Sequence, residues 1–360
     1  MKTKNIIPSL TPYKPGKTIN EVKKERHLSK IVKLASNENV YGPSPLVLEK
    51  LSDFGEDLHL YPDGYARELR ERVSAHLNVD MDQLIFGAGS DEIVQMLCRT
   101  YLEGGANTVM AHPTFPQYKH HAAVEGAEVR EIPVKDGHHQ LEQMLEAIDD
   151  KTRIVWLCSP NNPTGCYINE KQLKSFLDRC PEHVLVVLDE AYYEYVSAED
   201  YPDSLSLLEN YKNIIVLRTF SKAYGLAGFR VGYGISSEEI IRHLNTIRGP
   251  FNVTSIGQFA AINALEDQTY IKEIRQLNQN VRHEVEHFCE QHHLTYDPSE
   301  TNFLLIHLPK SGLEVSDQLL DHGFIVRAGE LLGIDQSIRV TIGREKDMKE
   351  FTNALSECLQ

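Results

Sequence analysis

Two stretches, Val184–Asp189 (VLVVLD) and Ile214–Phe220 (IIVLRTF), run through apolar residues without the alternation of a half-exposed strand. A strand of that kind has to be covered on both faces, which an open, mostly parallel sheet between helical layers provides. The surrounding chain supplies those layers. YARELRERVSAHL, DEIVQMLCRTYL, KHHAAVEG and EKQLKSFLDRC have helical spacing, and LIFGAG, TVMAHP, EVREIPV and RIVWLCSP between them read as short strands. Alternation of this sort predicts an α/β fold with a mainly parallel sheet flanked by helices.

The texture changes after about residue 265. A long charged helical stretch, YIKEIRQLNQNVRHEVEHFCEQHH, is followed by TNFLLIHL, GFIVRAG, SIRVTIG and a last helix. Fewer strands and longer helices predict a smaller α+β domain. Residues 1–30, polar and rich in Pro and Lys, read as an arm. The expected organisation is an arm and start of the small domain over 1–39, a large domain over 40–265 and the small C-terminal domain over 266–360. A chain of 360 residues exceeds the roughly 100–200 residues of one domain, in keeping with that division.

Thirty-seven Lys and Arg against fifty-two Asp and Glu leave a net charge of −15. Such a surface repels nucleic acid and anionic lipid, so a small molecule is the expected partner. No run approaches the ~20 apolar residues of a membrane span, and MKTKNIIPSLTPYKPGK lacks a signal-peptide apolar segment. The six cysteines form no C-x-x-C pair; reduced structural thiols in cytoplasm are expected, with neither zinc nor disulfides.

Chemistry-bearing residues gather at the strand ends. Lys222 follows a buried strand in RTFSKAYGLAGFRVGY, where desolvation favours the neutral amine that attacks an aldehyde. Asp189 ends the strand before it, in the crevice where such sheets bind ligands, and could keep a pyridine nitrogen protonated. Read alone, Asp189 would be a helix cap, Lys222 a surface residue and Tyr192 a packed phenol. Asn162, between Pro160 and Pro163 of LCSPNNPTGCY, offers an amide after another strand. FGAGSDEIVQ runs from a strand through glycines into a helix start, which presents free amides to an anion; Ser221 and Arg230 add a hydroxyl and a cation. GAGSDE fits neither the dinucleotide fingerprint nor the phosphate loop, which argues against a nucleotide-binding module.

NPTG, DEAYYEY and SKAYGLAGFRVGY, in that order, resemble the class I/II aminotransferases of the aspartate aminotransferase fold. YKPGK, KLASNENVYGPSP, LYPDGYARELR, FGAGSDE, PTFPQY, TNFLLI, GFIVR and RVTIG narrow the resemblance to the histidinol-phosphate aminotransferase branch. The resemblance implies fold type I, with a seven-stranded sheet, pyridoxal 5'-phosphate as cofactor, and a homodimer with shared active sites. By the same carry-over, Lys222 would hold the cofactor as a Schiff base and shuttle a proton. Asp189 would meet the ring nitrogen, Asn162 and Tyr192 the ring oxygen, and Phe115 the ring face. Ser90, Asp91, Ser221 and Arg230 would bind the cofactor phosphate, with Tyr61 reaching it from the neighbouring subunit. Asn37 and Arg339 would meet substrate, Arg339 through the carboxylate of the dicarboxylic partner, and Arg327 and Tyr13 would lie near the distal phosphate of histidinol phosphate. Phe229, before the arginine, stands where the pattern has leucine. Aromatic amino-acid transamination, dual specificity, or threonine-phosphate decarboxylation on the same scaffold are the competing activities.

Overall fold

The computed structural model describes residues 2–10, 12, 16–55 and 58–360. In chain order the strands are β1 (Val32–Lys33), β2 (Leu84–Gly87), β3 (Asn107–His112), β4 (Glu128–Pro133), β5 (Thr152–Cys158) and β6 (Leu185–Asp189). They continue with β7 (Ile214–Thr219), β8 (Gly232–Ser236), β9 (Phe303–His307), β10 (Phe324–Ile325), β11 (Arg327–Ala328) and β12 (Ser337–Thr341). Seven of them make one sheet in the order β2-β8-β7-β6-β5-β3-β4. Pairing is parallel from β7 through β6, β5 and β3 to β4. This is the α/β class with a mixed, mostly parallel seven-stranded sheet that the sequence and its resemblance led us to expect.

The unbroken apolar runs are explained by which face each residue takes. Val186 and Leu188 of β6 join Ile214 and Val216 of β7 in one apolar cluster. Leu185 and Val187 join Ile215 and Leu217 in the cluster on the other side. Each strand therefore feeds two cores at once, and burial of a side chain of this size is worth about 1.5–3 kcal/mol.

One strand escaped the sequence reading. β8 pairs antiparallel with both β2 and β7, yet its GYGIS sequence reads as a turn because of its glycines. Gly232 is needed for close approach: a Cβ there would lie 2.2 Å from the backbone nitrogen of Ser90. Its absence lets the start of the helix Ser90–Tyr101 sit directly against the sheet.

A second, antiparallel sheet has the order β11-β12-β9. Its apolar cluster includes Leu304, Ile338 and Val340, backed by Val281 and Val285 of the helix Gln268–Gln291 and by Phe351. The N-terminal stretch packs here: β1 pairs in parallel with β10, Leu34 enters the same cluster, and Arg26 forms ion pairs with Asp317 and Asp321. Among the described residues, no helix is long and apolar enough to cross a membrane.

Polar atoms inside the large sheet are paired. Arg218 lies within β7, its guanidinium 2.9 Å from Glu190, with the two side chains 3% and 0% exposed. The Tyr193 ring covers it at 3.5 Å. Arg218→Met leaves the Glu190 carboxylate buried without its cation, a loss of about 3–5 kcal/mol for a pair broken on one side. Urea denaturation at neutral pH measures this, and a variant within 1 kcal/mol of wild type, on the order of error for such curves, would show the pair to be dispensable.

Candidate active site

The carboxyl ends of β5, β6 and β7 open onto one cleft of about 650 Å³, closed on its far side by residues of the smaller sheet. Lys222, Asp189 and Tyr192 line it, as do Asn162 and Phe115. So do Ser90, Asp91, Ser221 and Arg230, and, from the other side, Asn37, Arg327 and Arg339. Asn162, Asp189 and Lys222 are brought together because parallel strands present their C-terminal ends to one edge, while Asn37 and Arg339, 302 positions apart, reach the cleft from the other side, Arg339 on β12.

Lys222 sits three residues beyond β7, and its Nζ donates to the Ser36 carbonyl at 3.2 Å. Burial, and then the nearby Arg339 and Arg230 charges, lower its amine to about 8 against the partial opposition of Glu38 and Asp189. Asp189 is its counterpart. It is fully enclosed and burial pushes its carboxyl up to about 6, while hydrogen bonds from Tyr118 and the Ala191 amide pull the other way. The Ala191 N–H reaches Oδ1 at 3.1 Å, so the turn-capping role that a lone aspartate suggests is present too. The Tyr118 hydroxyl donates to Oδ2 at 2.5 Å. Among the described residues, no cation lies within ion-pair distance of this carboxylate, in contrast to Glu190 beside it.

Tyr192 is buried behind the lysine, with Nζ 5.6 Å from its ring centre. Its phenol is pushed up to about 12 by burial, so it stays protonated, and the Asn37 amide donates to its oxygen at 3.0 Å. Asn37 itself has a left-handed φ of 58°, which Asn tolerates better than most residues; its backbone N–H is taken by Thr341 Oγ1 at 3.0 Å. Asn162, in the turn after β5, accepts from Arg339 Nη1. Arg339 Nη2 also donates to the Ala35 carbonyl at 2.8 Å. Phe115 begins the helix Pro116–Val124 and stands edge-on to Tyr118, with ring centres 5.4 Å apart.

At the other end of the cleft lies an anion cradle. The helix Ser90–Tyr101 starts at Gly89 with no side-chain cap, leaving its first N–H groups available to a ligand and the positive end of its dipole facing the cleft. Gly89 has φ +83°, and a Cβ there would meet Arg230 Nη2 at 2.6 Å. Arg230 Nη1 lies 3.4 Å from Ser221 Oγ and Nη2 donates to the Ala88 carbonyl at 3.2 Å. Asp91 Oδ1 is buried without a hydrogen bond among the described residues and lies 3.8 Å from His121 Nε2; burial raises its carboxyl.

Two expected residues do not join this set. Tyr61 is 81% exposed and stacks on Phe251 at 4.7 Å instead of lining the cleft of its own chain. Tyr13 lies outside the described residues, although Pro12 and Gly16 on either side line the cleft. Conversely, the sequence reading did not single out Tyr118, nor His112, Lys119 and Glu131 at the outer rim. Glu131 there bridges His112 Nδ1 at 2.9 Å and Lys119 Nζ at 2.6 Å. No spacing signal marks these three, because the pairing of β3 with β4 brings His112 and Glu131 together and Lys119 reaches them from the helix Pro116–Val124.

The model of the family described as aminotransferase class I and II matches residues 29–355. The histidinol-phosphate aminotransferase of Anoxybacillus flavithermus is 54% identical over 360 residues, covering 100% of this chain and 97% of that protein. That of a Geobacillus species is also 54% identical, covering 100% and 99%. Among solved structures, the histidinol-phosphate aminotransferase of Sinorhizobium meliloti in complex with pyridoxal-5'-phosphate superposes with a TM-score of 0.91 at 30% identity, over 99% of this chain and 97% of that one. A match of this extent over the whole chain, joined to a buried amine and a buried carboxylate in one cleft, places the protein in the class I and II aminotransferases, within the histidinol-phosphate aminotransferase family.

Proposed function

We propose that the protein transfers the amino group of L-histidinol phosphate to 2-oxoglutarate, giving imidazole acetol phosphate and L-glutamate, a step of histidine biosynthesis. The observation that carries the reading is the placement of the Lys222 amine and the Asp189 carboxylate on one cleft, between an anion cradle at one end and arginines at the other. Pyridoxal 5'-phosphate suits this donor set: an aldehyde for a buried amine, a basic ring nitrogen for a buried carboxylate, and a phosphate for Ser90, Asp91, Ser221 and Arg230. When bound, the cofactor supplies an electron sink that makes loss of a proton from the substrate's Cα feasible.

The protein's own groups do the rest. Lys222 Nζ takes the Cα proton and returns it at C4' of the cofactor, as a general base that its lowered amine equips for neutral pH. Asp189 keeps the ring nitrogen protonated, and Asn162 and Tyr192 hold the ring oxygen. Phe115 covers the ring face. Arg339, with Asn37 beside it, receives the carboxylate of glutamate or 2-oxoglutarate. Arg327 and Tyr13 attend the distal phosphate of histidinol phosphate. Those cations supply local positive potential in a chain of net charge −15.

The functional unit in this reading is a homodimer. Tyr61, Leu58 and Leu60 are 81%, 71% and 56% exposed, an apolar strip that a second copy would cover while Tyr61 reaches the neighbouring cradle. The large domain of 40–265 holds the cofactor, and the small domain, built from the arm and 266–360, closes over substrate. Sedimentation at micromolar concentration should give a single species of twice the chain mass; a monomer that is fully active would refute the shared site.

Lys222→Ala should abolish glutamate formation from histidinol phosphate while leaving the circular dichroism spectrum unchanged. Retained turnover in that variant removes the central claim. Wild type should also favour histidinol phosphate over phenylalanine with 2-oxoglutarate as acceptor, and equal kcat/KM would assign a broad aromatic enzyme instead. The lowered amine has a stability consequence. Below pH 8 the amine is charged in folded and unfolded chains alike, and the folded chain bears its desolvation. Between about 8 and the ordinary 10.5 the unfolded chain binds more proton, so the penalty fades with rising pH. Lys222→Met should therefore raise the melting temperature of cofactor-free protein at pH 7 and lose that advantage above pH 10.5. Parallel melting curves across the range would contradict a desolvated amine.

A further inference from the structure

Tyr118 closes the PTFPQY segment without a role in the sequence reading and does not line the cleft, yet it makes the shortest described contact to its central carboxylate. Its hydroxyl donates to Asp189 Oδ2 at 2.5 Å across 71 positions of sequence. The residue is 0% exposed, so water cannot substitute for it. Its ring stacks on Trp156 with centres 4.5 Å apart and planes at 12°, and the Trp156 indole is fixed in turn by its Nε1 donating to Thr108 Oγ1 at 2.8 Å. Thr108 is itself tied to β5 through the Ile154 carbonyl at 2.8 Å. The phenol thus stands on a braced platform formed by β3 and β5, with its one polar atom aimed at Asp189.

We propose that Tyr118 is the positioning residue for Asp189: its donated hydroxyl keeps that carboxylate anionic and oriented toward the cleft, where the ring nitrogen of the cofactor is received. The proposal deepens the reading of the site as a pyridoxal-phosphate centre and rests on it. Burial and the Asp189 charge raise the phenol well above its ordinary value, so it remains a donor throughout the working pH range. A carboxylate that accepts a hydrogen bond is a weaker base, which leaves the shared proton on the ring nitrogen instead of drawing it to Oδ2. The other charged and titratable groups acting on Asp189 are Glu190 at its own strand end, Asp91 from the helix Ser90–Tyr101, Cys158 from β5, Tyr192 from the turn after β6 and Lys222 after β7. Of these, the two acids disfavour the anion. The Ala191 amide and Tyr118 are the groups that donate to it.

The test is a double-mutant cycle on the full chain, read by titration of cofactor-free protein with pyridoxal 5'-phosphate. Tyr118→Phe keeps the stacked ring and removes the hydroxyl, with its donation to Asp189 and its contact to the Cys158 thiol. It should weaken cofactor binding roughly tenfold or more, the scale of a hydrogen bond to a charged group, and lower kcat. In an Asp189→Asn background the same change should cost less than about twofold, since no charge remains to be held. Equal losses in both backgrounds would mark a packing role and overturn the proposal, as would no loss in either. Infrared titration of the Asp189 carboxyl before cofactor is added gives an independent readout. Its midpoint should rise in Tyr118→Phe, and an unchanged midpoint also overturns the proposal. Tyr118→His against Tyr118→Met repeats the comparison with and without a donor, so that misfolding of one variant does not leave the result open. If wild type failed to bind the cofactor, the functional reading would fall, while the carboxyl titration would still judge the Tyr118 contact.

Discussion

A carboxylate taken out of water has to be neutralised or hydrogen-bonded, and among the described residues Asp189 has hydrogen bonds and no cation within ion-pair distance. Its neighbour Glu190, on the opposite face of the same strand end, shows the alternative, a guanidinium 2.9 Å away and enclosed with it. The two acids are adjacent in sequence and differ in what their sheet face provides. Glu190 is part of the fold's own electrostatics. Asp189, raised to about 6 and held at both oxygens, faces the cleft, and in the proposed reading it is the group that would meet the cationic ring, most of the site following from its support.

The sheet order makes this possible. With β6 between β5 and β7, the end of β6 lies between the Asn162 turn and the Lys222 turn, so an acid, an amide and an amine converge without any residue being near another in sequence. The antiparallel β8 contributes differently. Its Gly232 lets the helix start at Ser90 press against the sheet, which fixes the anion cradle on the sheet edge. Phosphate affinity in such a cradle comes mainly from backbone amides and one arginine, and that suits a chain whose overall charge repels anions.

Much of this was legible in sequence because polar residues at the ends of apolar runs are costly unless used. Lys222, Asp189 and Asn162 carry that signal, Arg230 is marked only by its place eight residues after the lysine, and the unbroken runs predict the sheet that gathers them. Tyr61, Arg327 and Tyr13 were legible only through the resemblance, since nothing local distinguishes an exposed tyrosine or a rim arginine. Tyr118 was legible only as the last residue of PTFPQY, with no role attached to it. It sits in a helix of ordinary pattern, and its contact with Asp189 is decided by which strands become neighbours, a property of topology that no window of sequence contains. The same is true of β8, where glycines chosen for close approach mimic those of a turn.

Arg339 ties the chemistry to the smaller sheet. Placed on β12, it donates to Asn162 in the turn after β5 and to the Ala35 carbonyl, so the proposed receiver of the substrate carboxylate touches the proposed holder of the ring oxygen. It is also the largest nearby charge lowering the Lys222 amine. In the proposed reaction, pairing Arg339 with the carboxylate of 2-oxoglutarate would remove part of that push, so Nζ would be more basic in the acceptor half of the cycle than in the half that begins with histidinol phosphate, which carries no carboxylate.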